Sequence, residues 1–188
     1  MLTSLPNILT LSRIAVIPIL LVLLYFDSPV LRWLTLIGYT AACLTDFLDG
    51  YLARHMNDIS ALGRFLDPIA DKLLVASLIV MLVATRQIEG LVVIPAIVIL
   101  CREILVSGLR EYLAEIKVPM PVSYLAKWKT LIQMVALGFL IVGTAGPGFL
   151  PTREIGEVGF WLAGLLTLIT GYDYLARGLK HMIPEDGD

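Results

Sequence analysis

Long apolar runs separated by short polar breaks make up almost the whole chain. A helix crosses a bilayer with about 20 mostly apolar residues. Six runs meet that length, near Ile8–Phe26, Leu31–Arg54, Phe65–Thr85, Leu91–Leu113, Val122–Val142 and Gly156–Leu179. The breaks carry loop signals: Asp27-Ser28-Pro29, the polar run His55–Ser60, Gln87–Gly90, Lys117–Pro121, and Gly143–Thr152 with its Gly and Pro cluster. No soluble domain fits between the runs, and no internal repeat interrupts them. The pattern predicts an all-α integral membrane protein: one transmembrane domain of six helices over residues 1–183, followed by a short polar tail over residues 184–188. The first run is expected to be retained rather than cleaved as a signal peptide. Its apolar core is long, its flank lacks several basic residues, and no small-x-small cleavage site follows.

Composition points the same way. The chain of 188 residues is 58% hydrophobic, with a mean hydropathy of +0.86. Ordinary globular domains are about 45–50% apolar, and a soluble domain of this size could not hide the excess. The net charge of −2 says little about partners, and nothing suggests nucleic acid. The distribution of Lys and Arg says more. One side of the membrane would carry Arg54, Arg64, Arg110, Lys117, Lys127, Lys129, Arg177 and Lys180, the other Arg32, Arg86 and Arg153. The positive-inside rule then puts both termini in the cytoplasm. The expected location is a bacterial-type plasma membrane, with the site described next facing the cytoplasm. Cys43 and Cys101 lie in apolar runs and read as buried, reduced small hydrophobes. Trp33, Trp128 and Trp161 read as interface anchors, and Asp173 as a simple interfacial acid.

Four carboxylates at the ends of two apolar runs change the picture. The stretch DFLDGYLARHMNDISALGRFLDPIAD holds Asp46, Asp49, Gly50, Ala53 and Arg54, then Gly63, Asp67 and Asp71. Charge at the edge of a hydrocarbon span is costly and marks function by default. Successive helical residues are about 100° apart, so Asp46, Asp49, Gly50 and Ala53 share one face, and Gly63, Asp67 and Asp71 share another. Pro68 lacks an N–H, which is tolerable in the first turn of a helix, so the third helix is expected to start only a few residues before Asp67. Four facing carboxylates repel one another unless cations neutralise them. Hard oxygen ligands select Mg²⁺ or Mn²⁺, and four of them suffice for two ions that clamp a phosphoryl group. Gly50, Ala53 and Gly63 leave room for a ligand against the backbone, and the planar fork of Arg54 suits a phosphate.

The spacing D-x-x-D-G-x-x-A-R, eight residues, G-x-x-x-D-x-x-x-D resembles the signature of the CDP-alcohol phosphotransferase family at every position. The resemblance implies six transmembrane helices, a homodimer, two divalent cations and a CDP-linked lipid donor such as CDP-diacylglycerol. It implies metal ligation by Asp46, Asp49 and Asp67, and a general base at Asp71 that also touches the second metal. It places Asp49, Gly50, Ala53, Arg54, Gly63 and Asp67 around the CDP moiety.

Other charges bear on the acceptor alcohol. Arg102, Glu103 and Arg110 lie in CREILVSGLRE, and Lys127 and Lys129 in AKWKT. This basic group suits an acceptor that itself carries a phosphate. Arg110 and Lys127 are the leading phosphate-binding candidates, followed by Arg102 and Lys129, with Glu103 holding an arginine in position. The alternative is positive-inside charge with snorkelling stems, which suffices for Lys117, Arg177 and Lys180. In the opening LPNILTLSRIAVIP, Asn7, Thr10 and Arg13 recur at one-turn spacing. With REILVSGLRE and KWKT, this opening resembles the branch of the family that uses sn-glycerol 3-phosphate and makes phosphatidylglycerophosphate and CMP. Thr10 joins the acceptor-phosphate candidates on that basis, with Asn7 and Arg13 supporting. Competing readings are a sister enzyme that takes inositol phosphate or phosphatidylglycerol, and a divalent-cation transporter.

Overall fold

The computed structural model describes residues 5–26, 28–56, 61–118 and 123–180; at 5–7, 47–56, 61, 62 and 64 it describes the backbone alone. Among these residues every regular element is helical: α1 (Leu5–Tyr25), α2 (Pro29–Met56), α3 (Ala61–Ala84), α4 (Val93–Glu115), α5 (Tyr124–Val142) and α6 (Thr152–Leu179), with 3₁₀ turns at Gly90–Val92 and Gly143–Ala145. The helices fall where the apolar runs predict them, within a few residues at each end. Among the described residues, Ile8–Tyr25, Gly90–Glu115, Tyr124–Ala145 and Thr152–Leu179 are long and apolar enough to cross a membrane. The tail expected over residues 184–188 lies outside the described residues.

Two local expectations need correction. Pro68 is not in a first turn: α3 begins at Ala61 and carries the proline inside it. The preceding Ala-Leu-Gly-Arg-Phe-Leu includes good helix formers, so the helix extends further back. The missing N–H at Pro68 then removes one bond to the Arg64 carbonyl without ending the helix. Cys101 is exposed rather than buried, while Cys43 is half-buried, and both are free thiols. In lipid the outward face of a helix is as apolar as the inward face, so an apolar run cannot say which way a cysteine points.

Two compact units divide the chain. The first comprises the residues up to Glu89 together with Gly138–Glu154; the second comprises Gly90–Leu137 and the residues from Ile155 on. In the first unit, the buried positions of α1 are Thr10, Arg13, Ile17, Leu20 and Leu24. They advance in alternating steps of three and four, the spacing that keeps one narrow stripe facing a neighbouring helix. Arg32, Thr35, Tyr39 and Ala42 do the same on α2, and Ala70, Leu74, Leu78 and Leu82 line α3. Polar residues sit on these stripes, whereas large aliphatics such as Ile19, Val22, Ile37 and Val80 face outward.

One end of the first unit is closed by the buried Arg32. Its Nη1 donates to Gln87 Oε1 at 3.0 Å, to the Val142 carbonyl at 3.3 Å and to Thr144 Oγ1 at 3.4 Å. The Thr152 hydroxyl donates to the Gly143 carbonyl, and Trp33 Nε1 donates to the Ala145 carbonyl at 3.1 Å. Arg153 pairs with Glu89 at 2.8 Å. Gly143 has φ +50°, and a Cβ there would stand 2.5 Å from Gln87 Oε1 and 2.8 Å from Arg32 Nη1.

In the second unit the stripes are Ala96, Ile99, Val106, Leu109 and Leu113 on α4; Ala126, Lys129, Gln133 and Ala136 on α5; and Phe160, Ala163, Thr167, Thr170 and Tyr174 on α6. Val106, Leu109, Leu113, Ala126 and Tyr174 form one apolar cluster. A second spacing fixes how α4 meets α6. A Cβ at Gly164 would lie 2.8 Å from Pro95, one at Gly171 would lie 3.1 Å from the Arg102 stem, and one at Gly178 would lie 2.7 Å from Leu109. Both series rise in steps of seven in the same direction, so α4 and α6 run parallel and touch through glycine. Small residues let helices approach closely where lipid supplies no hydrophobic drive.

Gly143→Ala is expected to lower stability by about 1–3 kcal/mol, from left-handed strain added to the clash on the Arg32 cluster. Gly148→Ala, whose added methyl group would meet nothing within 4 Å among the described residues, should be near neutral. Thermal unfolding of the two variants in detergent compares them directly, and equal behaviour would contradict the role given to Gly143.

Candidate active site

Three carboxylates of the signature, those of Asp46, Asp67 and Asp71, are gathered by α1. Arg13 is 2% exposed, and its Nη1 donates to Asp71 Oδ1 at 2.6 Å while standing 2.8 Å from Asp46 Oδ1. One cationic nitrogen therefore joins a carboxylate of α2 to a carboxylate of α3. One turn earlier, the buried Thr10 hydroxyl donates to Asp67 Oδ1 at 2.5 Å. Thr10 and Arg13 are three residues apart on α1; Asp67 and Asp71 are four apart on α3. Such neighbours share a helix face, so one polar turn of α1 docks on one acidic turn of α3, and the two helices run parallel. The buried Gly63 lies on α3 one turn before Asp67. The positions of Asp49, Gly50, Ala53 and Arg54 lie on the α2 backbone, but their side chains, like that of Asn7, lie outside the described ones.

These residues suit a divalent cation. Asp46 and Asp71 are hard oxygen donors, and both already converge on one positive centre. Their side chains are 42% and 48% exposed, so an ion can reach them from solution. Among the described residues no three His, Cys, Asp or Glu side chains form a group that could hold a metal ion; the Asp49 side chain is not among those described. Carboxylate-only ligation favours Mg²⁺, Mn²⁺ or Ca²⁺ over thiophilic metals.

The basic residues of α4 and α5 belong to the second unit. Glu103 accepts from Arg102 Nη1 at 3.1 Å and from the buried Lys129 ammonium. Arg102 Nη2 lies 3.4 Å from Thr170 Oγ1, and its guanidinium carbon lies 5.6 Å from the Tyr174 ring centroid. Glu103 thus pairs with its neighbour Arg102. Arg110 and Lys127 are exposed, the latter with its ammonium 5.4 Å from the Tyr124 ring centroid. Asp173 is exposed on α6.

Thr10, an acceptor-phosphate candidate by sequence, has its hydroxyl on Asp67 in the structure. Thr170 and Tyr174, which lie against Arg102, are not among the sequence candidates. The motif T-G-Y-D-Y in an apolar run carries no basic charge, and only the four-residue step between Thr170 and Tyr174, repeating the helical period, could have flagged them.

Comparison with known proteins places the chain in a family. The sequence profile of the family described as CDP-alcohol phosphatidyltransferase matches residues 3–169, which include α1 to α5 and most of α6. The chain belongs to that family. It is 48% identical to the CDP-diacylglycerol–glycerol-3-phosphate 3-phosphatidyltransferase of Rickettsia bellii, over 95% of this chain and 97% of that protein. The enzyme of the same name from Rickettsia typhi is 47% identical over 91% of this chain and 94% of its own. That of Cereibacter sphaeroides is 36% identical over 97% and 98%.

Losing one partner of a buried ion pair costs more than losing both, because it strands a charge. Glu103→Gln should therefore destabilise the protein by roughly 2–4 kcal/mol, and Glu103→Gln combined with Lys129→Met should recover much of that loss. Unfolding midpoints for the two variants decide it. A double variant no better than the single one would show that the Lys129 charge is not stranded.

Proposed function

We propose that this protein transfers a phosphatidyl group from CDP-diacylglycerol to sn-glycerol 3-phosphate, giving phosphatidylglycerophosphate and CMP. The observation that carries the reading is the meeting of Asp46 and Asp71 on one cationic nitrogen, within a signature of eight matched positions. The names of the relatives, similar over nearly their full lengths, support the substrates.

In the reaction, the acceptor hydroxyl oxygen attacks the lipid-linked phosphorus of CDP-diacylglycerol. Its proton passes to an Asp71 carboxylate oxygen. A new P–O bond forms as the bond to the bridging pyrophosphate oxygen breaks, and CMP leaves. Two divalent ions, Mg²⁺ or Mn²⁺, held by Asp46, Asp49, Asp67 and Asp71, would offset the charge on the pyrophosphate and on departing CMP. Arg13 offsets the repulsion between Asp46 and Asp71, and Thr10 fixes the rotamer of Asp67. Gly50, Ala53 and Gly63 border the cytidine, and Arg54 pairs with a phosphate of CDP. Holding the acceptor hydroxyl close to Asp71 supplies much of the rate.

Arg110 and Lys127 bind the acceptor phosphate in this reading, because exposed cations on α4 and α5 can meet a soluble anion. Arg102 and Lys129, joined through Glu103, are the further candidates for that phosphate. All six helices span the membrane, both termini and the site face the cytoplasm of a bacterial-type plasma membrane, and the active form is a homodimer. The orientation rests on the distribution of Lys and Arg.

The founding test is CMP release by purified protein with CDP-diacylglycerol, Mg²⁺ and a panel of acceptors: glycerol 3-phosphate, inositol 1-phosphate, serine and phosphatidylglycerol. Release with glycerol 3-phosphate alone, abolished by EDTA, is expected. Release with another member of the panel would reassign the acceptor.

Asp71→Asn should retain CDP-diacylglycerol binding, read as ligand-induced thermal stabilisation, and lose about 10²–10⁴-fold in turnover, the usual contribution of a general base. Near-normal turnover would remove that role from Asp71. Arg110→Ala and Lys127→Ala should each raise the KM for glycerol 3-phosphate more than that for the lipid. Equal effects on both substrates would make these residues structural.

A further inference from the structure

Arg102 is oriented from a helix that the signature does not touch. Thr170 is 1% exposed and Tyr174 5%. The Thr170 hydroxyl spends its proton on the Leu166 carbonyl at 2.8 Å, so its oxygen presents a lone pair to Arg102 Nη2 at 3.4 Å. The guanidinium carbon stands 5.6 Å from the Tyr174 ring centroid, where the ring's negative face attracts a cation. Between them, Gly171 leaves the gap through which the Arg102 stem passes; a Cβ there would press on Cγ at 3.1 Å. On its own helix Arg102 is tied to Glu103. A guanidinium has five N–H donors. Glu103 and Thr170 take one each, and the buried Nε–H finds no acceptor among the described residues.

We propose that Thr170 and Tyr174, with the space left by Gly171, are positioning residues for the acceptor. They set the plane in which Arg102 offers its remaining donors to the phosphate of glycerol 3-phosphate. The inference deepens the proposed function and rests on Arg102 serving that phosphate. Bidentate recognition of a phosphate requires the planar fork to be aligned before the ligand arrives. A hydroxyl on one edge and an aromatic face supply that alignment without adding charge to the site.

The experiment measures KM for glycerol 3-phosphate and for CDP-diacylglycerol, by CMP release, in the full-length protein. Thr170→Val, Tyr174→Leu and Gly171→Ala are each expected to raise the KM for glycerol 3-phosphate about 3- to 10-fold and to leave that for the lipid within about twofold. Thr170→Ser and Tyr174→Phe, which keep the hydroxyl and the ring, should restore it. In an Arg102→Ala background, Thr170→Val and Tyr174→Leu should add nothing further. Gly164→Ala, whose Cβ would meet Pro95 more closely at 2.8 Å, serves as the packing control. It should lower the unfolding midpoint at least as much as Gly171→Ala without moving the acceptor KM. Losses that persist in the Arg102→Ala background, or that fall equally on both substrates, would overturn the positioning role while leaving Arg102 in the site. Arg102→Ala with an unchanged acceptor KM would overturn the assignment of Arg102, and this inference with it.

Discussion

A helix surrounded by hydrocarbon gains nothing by turning its leucines inward, because lipid is as apolar as protein. What it cannot leave in lipid is charge. In each unit of this protein the inward stripes therefore carry the polar groups, and those groups decide which helices pair and at what height. Arg13 draws Asp46 and Asp71 together across three helices. Glu103 draws Arg102 and Lys129 together across two. The residues proposed for catalysis are thus among those that join the helices around them.

The two ends of the first unit divide these tasks. Arg32 and Asp46 lie fourteen residues apart on α2, or about 21 Å along a helix axis. At the Arg32 end the cation meets neutral acceptors, an amide, a hydroxyl and a backbone carbonyl, enclosed by a tight turn at Gly143. At the Asp46 end the carboxylates are half-exposed. One end is built to be closed, and the other can exchange its partners with solvent.

Much of this was legible in the sequence, but unevenly. The helices could be read because an unbroken apolar run of about 20 residues has few other meanings, and the carboxylates could be read because acids are rare there. The stripes were hidden. With lipid outside, Ile19 facing out and Leu20 facing in are the same kind of residue, so hydrophobic contrast carries no phase. The same ambiguity misplaced Cys101. Pro68 misled for another reason: a proline marks a first turn only when the residues before it do not themselves favour helix. Thr10 and Arg13 stood out as polar, yet their partners are 57 and 58 residues away, and no local pattern encodes that distance. Thr170 and Tyr174 carry no charge and gave no signal until Arg102 was seen lying against them.

The glycines of α6 have a consequence for how the parallel pair settles. Because Gly164, Gly171 and Gly178 repeat with the same period as Pro95, Arg102 and Leu109, sliding one helix by seven residues still leaves two of the three notches filled. Steric fit alone would make such registers nearly degenerate, each about 10.5 Å from the next. Only one of them lays the single charge in the series beside Thr170 and Tyr174. The arginine breaks the degeneracy, and the glycine ruler acquires its zero from an electrostatic contact.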